Sequence, residues 1–155
     1  MKIMILYYSK TGHTLEAVLA TAEGIRSAGS EVTLVAAPDF EAKSLAEYDG
    51  LILGSPCWAG SLTGSGIAVP LTQVVTPLSD DCLKTMRCGG ISVHSFTGGG
   101  HTVKALGKLL SQKGCSDFRP GPAAKAGVPL SPWKGQSVQS KDEERFEAYG
   151  AEFVA

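Results

Sequence analysis

An apolar run from Ile3 to Tyr8 ends without transition in Ser9-Lys10-Thr11-Gly12-His13-Thr14, and a helical apolar pattern (Leu15, Val18, Leu19, Ala22, Ile25) follows at once. Few folds accommodate that succession. A continuous apolar run of this length is a strand covered on both faces, and the spacing after it is that of an amphipathic helix packed back on the strand. The hydroxyl-rich turn then lies at the carboxyl end of the strand and the amino end of the helix. There, free backbone N–H groups and the positive end of the helix dipole make an anion site. Ser9, Thr11 and Thr14 add hydroxyl donors, and Gly12 lets the backbone come close to a ligand. Two readings fit this turn: a phosphate cradle, or a polar turn whose small residues serve only to start the helix. The spacing G-x-x-x-x-G-K-[ST] of a triphosphate loop is absent, and so is a G-x-G-x-x-G dinucleotide fingerprint.

The same succession recurs along the chain. Leu51-Ile52-Leu53 runs into Gly54-Ser55-Pro56-Cys57-Trp58-Ala59-Gly60-Ser61, and Cys88 to His94 runs into Ser95-Phe96-Thr97-Gly98-Gly99-Gly100-His101. Val32 to Ala37 is a short second strand, and residues 40–49 hold a weak helix at most. Residues 62–78 read as a helix interrupted by Gly64, Gly66 and Pro70, and Val103, Leu106, Leu109 and Leu110 mark another that stops near Gly114. A fifth strand is best placed at Cys115 to Arg119. Residues 120–135, rich in proline and glycine, read as an extended surface segment that Trp133 pins to the core. Ser140-Lys141-Asp142-Glu143 fits a capping box ahead of a helix that buries Phe146, Tyr149 and Phe153.

Strands alternating with helices predict an α/β, doubly wound parallel sheet with helices on both faces, in a single domain spanning residues 1–155. In such sheets ligands bind outside the carboxyl ends of the strands. The three turns, 9–14, 54–61 and 95–101, are therefore expected to converge.

A net charge of −1 over 155 residues argues against a nucleic-acid surface. The N-terminal apolar run is too short for a membrane span, and no secretory leader is legible, so a cytoplasmic protein is expected. Cys57, Cys82, Cys88 and Cys115 include no C-x-x-C pair and do not look like a zinc site.

Ser9-Lys10-Thr11-Gly12-His13-Thr14 resembles the phosphate loop S-x-T-G-[NH]-T of the flavodoxin-like family. Within that family the chain is most similar to the WrbA-type NAD(P)H:quinone oxidoreductases. YYSKTGHT resembles their YYS-x-x-GH, Gly54-Ser55-Pro56 with Gly60-Ser61-Leu62 their second loop, Phe96-Thr97-Gly98-Gly99-Gly100 their third, and residues 149–155 their tail. The resemblance covers most of the chain and is weak over residues 115–139.

The resemblance implies a five-stranded parallel sheet of order 2-1-3-4-5 and a bound flavin mononucleotide (FMN). It puts the phosphate on Ser9, Lys10, Thr11, Gly12, His13 and Thr14. It puts the flavin ring between Ser55, Pro56, Cys57, Trp58, Ala59 and Gly60 on one side and His94, Ser95, Phe96, Thr97, Gly98, Gly99 and Gly100 on the other. Trp58 is expected as an aromatic platform. His101, at a helix start, is a candidate proton donor against a plain surface role; no metal is expected. The implied function is an FMN-binding redox protein passing electrons between partner proteins or small acceptors such as a quinone. One alternative is an FMN-dependent NAD(P)H:quinone oxidoreductase working by ping-pong hydride transfer. A second is a non-redox module using the same cradle for another phosphorylated ligand. Homo-oligomer formation stays open.

Overall fold

A computed structural model of the protein describes residues 1–58, 64–95, 97–126 and 137–155. Ala59, Gly60, Phe96 and Trp133, singled out above, lie outside the described residues. The elements follow in the order β1 (Lys2–Tyr7), α1 (His13–Ser27), β2 (Glu31–Ala36), β3 (Gly50–Pro56), α2 (Val69–Val75), β4 (Arg87–His94), α3 (Gly99–Ser111), β5 (Asp117–Lys125) and α4 (Ser140–Val154). The strands form one five-stranded, all-parallel sheet in the order β2-β1-β3-β4-β5, as the resemblance implied. Strand order reverses between β1 and β3, where a sheet of this kind opens a crevice at its carboxyl edge.

Two apolar layers cover the sheet because alternate residues of each inner strand point to opposite faces. Met4, Leu6, Leu51, Leu53 and Cys88 face α2 and α3 with Leu71, Val75, Leu106 and Leu110. Ile3, Ile5, Ile52, Ile91 and Val93 face α1 and α4 with Val18, Ile25, Phe146 and Phe153. Phe146, Tyr149 and Phe153 are buried, as their helical spacing required. α1 ends in Ala28-Gly29-Ser30: the Gly29 and Ser30 N–H groups donate to the Arg26 and Ile25 carbonyls, which satisfies the last free acceptors of the helix.

Four boundaries differ from the sequence reading. Among the described residues, the helix expected over residues 62–78 runs over Val69–Val75, with Pro70 in its first turn. Proline has no N–H to lose there and disfavours helix in the residue before it, so it starts this helix rather than weakening its middle. β5 runs on through Pro120 and Pro122 to Lys125 instead of stopping at Arg119. It is an edge strand, where a missing donor is tolerated, and its register shifts between Gly90 and Ser92 of β4. Ser140 does not cap α4. The cap residue is Gln139, whose carbonyl accepts from the N–H groups of Asp142 and Glu143. The weak helix at residues 40–49 is a short 3-10 turn, Ala42–Glu47, and a second such turn, Ala37–Asp39, precedes it.

Candidate functional site

The three turns do converge. A cleft of about 160 Å³ is lined by Lys10, Thr11, His13 and Thr14 after β1, by Pro56, Cys57 and Trp58 after β3, and by Val93, His94 and Ser95 at the end of β4. Ala126, directly after β5, closes it. A larger hollow of about 430 Å³ lies at the opposite edge of the sheet, among Leu45, Tyr48, Val74 and Leu78, and shares no residue with the cleft. It holds none of the strand-end turns, so its size does not make it the better candidate.

In the first turn Gly12 takes φ 93°, a left-handed conformation that side chains disfavour, and starts α1. The Ser9 hydroxyl oxygen accepts the N–H groups of Gly12 (3.2 Å) and Leu15 (3.3 Å). With both lone pairs engaged, its O–H proton is left to donate outward. The N–H groups of Thr11 and Thr14 have no hydrogen-bond partner among the described residues. His13 is buried, not solvated, and its Nδ1 lies 3.5 Å from Glu16 Oε2. Glu16 Oε2 also accepts the Val138 N–H at 2.9 Å, tying the start of α1 to the residues before α4.

Ser55 stands behind the cleft wall. Its Oγ donates to the Pro56 carbonyl at 2.7 Å and accepts the Ala68 N–H at 3.0 Å, which sets the exit of β3 against the start of α2. Cys57 N–H donates to the Val93 carbonyl, and Trp58 N–H to the Gly66 carbonyl, both at 2.8 Å. The half-buried Trp58 ring meets Tyr8 edge to face, 5.6 Å between centroids. Cys57 is half-buried rather than sealed in the core, with Sγ 3.7 Å from the Thr97 carbonyl oxygen.

The third turn begins at His94, half-buried in the wall. Its Nδ1 is buried without a hydrogen-bond partner among the described residues and packs on Gly99, where a Cβ would collide with it. Burial first, and then Lys125 beside it, lower the His94 pKa below the ordinary 6.5, while Asp142 pulls the other way. Gly98, at φ 97°, starts α3 as Gly12 starts α1. Thr97, Gly98 and Gly100 are exposed on the rim, and Gly99 is buried under His94. His101 points elsewhere: it is exposed, with Nε2 3.2 Å from the Gly64 carbonyl oxygen. Ala126 escaped the sequence reading because the prolines before it masked the strand that carries it to the cleft.

The depressed His94 pKa makes a prediction. The unfolded chain takes up a proton near pH 6.5, whereas the folded chain resists it to lower pH. Stability from this group is therefore complete above about 6.5 and is lost as pH falls through the folded-state pKa. In His94→Gln, urea midpoints compared at about pH 7.5 and about pH 5 should fall less on acidification than in the parent chain. An unchanged pH response would remove His94 as its source.

Among the described residues no carboxylate lines the cleft; Lys10 brings a positive charge to it, and His13 and His94 bring imidazole rings. Unpaired helix N–H groups, hydroxyls and a helix dipole suit a dianionic phosphate, and the flat wall around Trp58 suits a planar ring. The residues present fit a flavin mononucleotide.

Comparison with known proteins agrees. A sequence model of the family described as Flavodoxin matches residues 5–151. The chain is 34% identical to an NAD(P)H dehydrogenase (quinone) of Rhizobium rhizogenes, over 35% of its own length and 37% of that protein's. The match thus spans well under half of the relative. Among solved structures it is similar to the Streptococcus pneumoniae TIGR4 flavodoxin, with TM-score 0.76 and 20% identity, covering 99% of this chain and 98% of that one. Oxidised Flavodoxin 1 of Bacillus cereus gives TM-score 0.76 at 22% identity, covering 99% and 97%. The structural likenesses concern the fold; the sequence match over residues 5–151 concerns descent. The chain belongs to the flavodoxin family, whose cofactor is flavin mononucleotide.

Proposed function

We propose that this protein is an FMN-dependent electron-transfer protein whose cofactor sits in the strand-end cleft. The observation that carries the proposal is the convergence of three turns on a cleft that, among the described residues, has no carboxylate, has unpaired N–H groups at one end and an aromatic wall at the other. In this reading the FMN phosphate lies on the Thr11 and Thr14 N–H groups and on the hydroxyls of Ser9, Thr11 and Thr14. Lys10 supplies positive charge beside it, and the His13 ring lies next to it. The ring lies between the Pro56–Trp58 turn and the His94–Gly100 turn. Ser55 and Glu16 act as positioning residues, the first for the second turn, the second for His13.

When bound, the flavin supplies the one- and two-electron chemistry. The protein supplies the hold on the phosphate, a partly water-shielded wall and neutral groups at the ring. The test is titration with FMN and with riboflavin, which lacks the phosphate. FMN should bind far more tightly, with a yellow complex and quenched fluorescence. Equal affinity would remove the cradle, and a protein that takes up neither would favour a different phosphorylated ligand.

Trp58→Ala should weaken fluorescence quenching of bound FMN and shift its visible bands, because the aromatic wall is lost. Identical spectra would take Trp58 out of contact with the ring.

The quinone-reductase reading is favoured by the name of the Rhizobium rhizogenes relative. It expects oxidation of NADH or NADPH in the presence of benzoquinone at roughly tens per second. Photoreduction without such turnover supports a carrier of electrons between partners. No described helix is long and apolar enough to cross a membrane.

A further inference from the structure

The chain's near-neutral total hides a segregation of charge. Residues 82–116 contain Lys84, Arg87, Lys104, Lys108 and Lys113 and no Asp or Glu, while on α1 and α4 the acids Glu16, Glu23, Asp142, Glu143, Glu144, Glu147 and Glu152 outnumber the bases Arg26, Lys141 and Arg145. Lys104 and Lys108 of α3 lie on the face opposite α1 and α4, because α2 and α3 cover one face of the sheet and α1 and α4 the other, whereas Arg87, at the start of β4, donates to the Phe153 carbonyl of α4. The basic face adjoins the proposed cofactor cleft. A depression of about 400 Å³ between Gly64-Ser65 and α3 is lined by His101, Lys104, Ala105 and Lys108. Its wall is continuous with the cleft: Gly66 holds the Trp58 N–H through its carbonyl, and Cys57 reaches the Thr97 carbonyl.

Lys104 and Lys108 are exposed and form no ion pair among the described residues, whereas Lys113 is paired with Asp80 and Arg87 with Asp117. With His101 they follow one side of α3 outward from the cleft over about 10 Å. Lys108 also complements the carboxyl end of the helix dipole, but Lys104 in mid-helix has no such use. Lys10, exposed in the first turn, adds positive charge on another side of the same cleft. Positive groups spread over a turn and a helix are met together by a broad surface better than by a small anion.

We infer that the α3 face formed by His101, Lys104 and Lys108, with Lys10 across the cleft, is the docking surface for an acidic redox protein. The inference rests on the electron-transfer reading above. The acidic surface of α1 and α4 on the far side orients the encounter, since a partner rich in carboxylates is attracted to one face and repelled by the other. Docking there brings the partner to the rim at Thr97 and Gly98, beside the turns that would hold the flavin edge.

The test uses FMN-loaded, photoreduced protein and measures electron transfer by stopped flow to an acidic b-type cytochrome and to the basic mitochondrial cytochrome c. Transfer to the acidic cytochrome should be the faster at low salt. It should fall about tenfold or more as ionic strength rises from ~10 to ~300 mM. Lys104→Glu/Lys108→Glu should produce a comparable fall at low salt while FMN affinity and visible spectrum stay unchanged. Normal FMN binding with rates that respond to neither salt nor the double substitution would overturn the inference alone. So would a low-salt preference for cytochrome c. Failure to take up FMN would overturn the electron-transfer reading and this inference together.

Discussion

Gly24→Ala and Gly150→Ala should each lower the free energy of unfolding by about 3 kcal/mol or more, or prevent folding. The two glycines lie where α1 and α4, each fifteen residues long, cross on one face of the sheet. A Cβ at Gly24 would run into the Glu147 carbonyl oxygen and stand 3.0 Å from the Ala151 nitrogen; one at Gly150 would run into the Thr21 carbonyl oxygen and stand 3.1 Å from the Ile25 nitrogen. Every obstacle is backbone, so no side chain can turn aside. Relief requires the helices to separate, which would unseat Ala22, Ile25, Phe146 and Phe153, all fully buried. Because α1 carries the Ser9–Thr14 turn at its start, the cleft would be disturbed with the core. Gly100→Ala is the control: a Cβ there meets nothing within 4 Å, and alanine favours helix by up to about 1 kcal/mol. Urea unfolding of the three variants decides the matter. Losses at Gly24 and Gly150 no larger than at Gly100 would falsify the tight crossing.

The double variant Thr11→Ala/Thr14→Ala should bind FMN about 100-fold more weakly. A hydrogen bond to a charged group contributes about 1.5 kcal/mol at the low end, so two lost hydroxyls amount to about 3 kcal/mol. Their backbone N–H groups and Ser9 remain, so binding is reduced rather than abolished. Riboflavin provides the internal control, since it has no phosphate and its affinity should stay put. Loss of riboflavin affinity in parallel would mean that the substitutions damaged the cleft as a whole, Thr14 being nearly buried. Unchanged FMN affinity would count against the phosphate assignment itself.

What could be read from the residues follows physical lines. Ile3 to Leu6 and Leu51 to Leu53 were legible as strands because burial on both faces leaves a continuous apolar run. Gly12 and Gly98 were legible as turn glycines, and both start a helix in the left-handed conformation. β5 was only partly legible. Pro120 and Pro122 look like breakers until the strand is known to lie at an edge. Pro70 misled in the opposite way, as a proline that begins a helix looks in sequence like one that interrupts it. Ser140 matched a cap by type and spacing, yet the chain enters α4 one residue earlier.

The amino-acid order alone determined the alternation of strands and helices, hence a parallel sheet with its polar turns gathered at one edge, because periodic burial is written locally. Only the tertiary structure decided which turn residues form the cleft wall and which stand behind it. Ser55 is turned onto Ala68, and His101 onto Gly64. Glu16 holds Val138 across 122 positions of sequence. The basic and acidic helices become opposite faces only once the sheet separates them. Such pairings depend on how distant elements pack, and no local period records that.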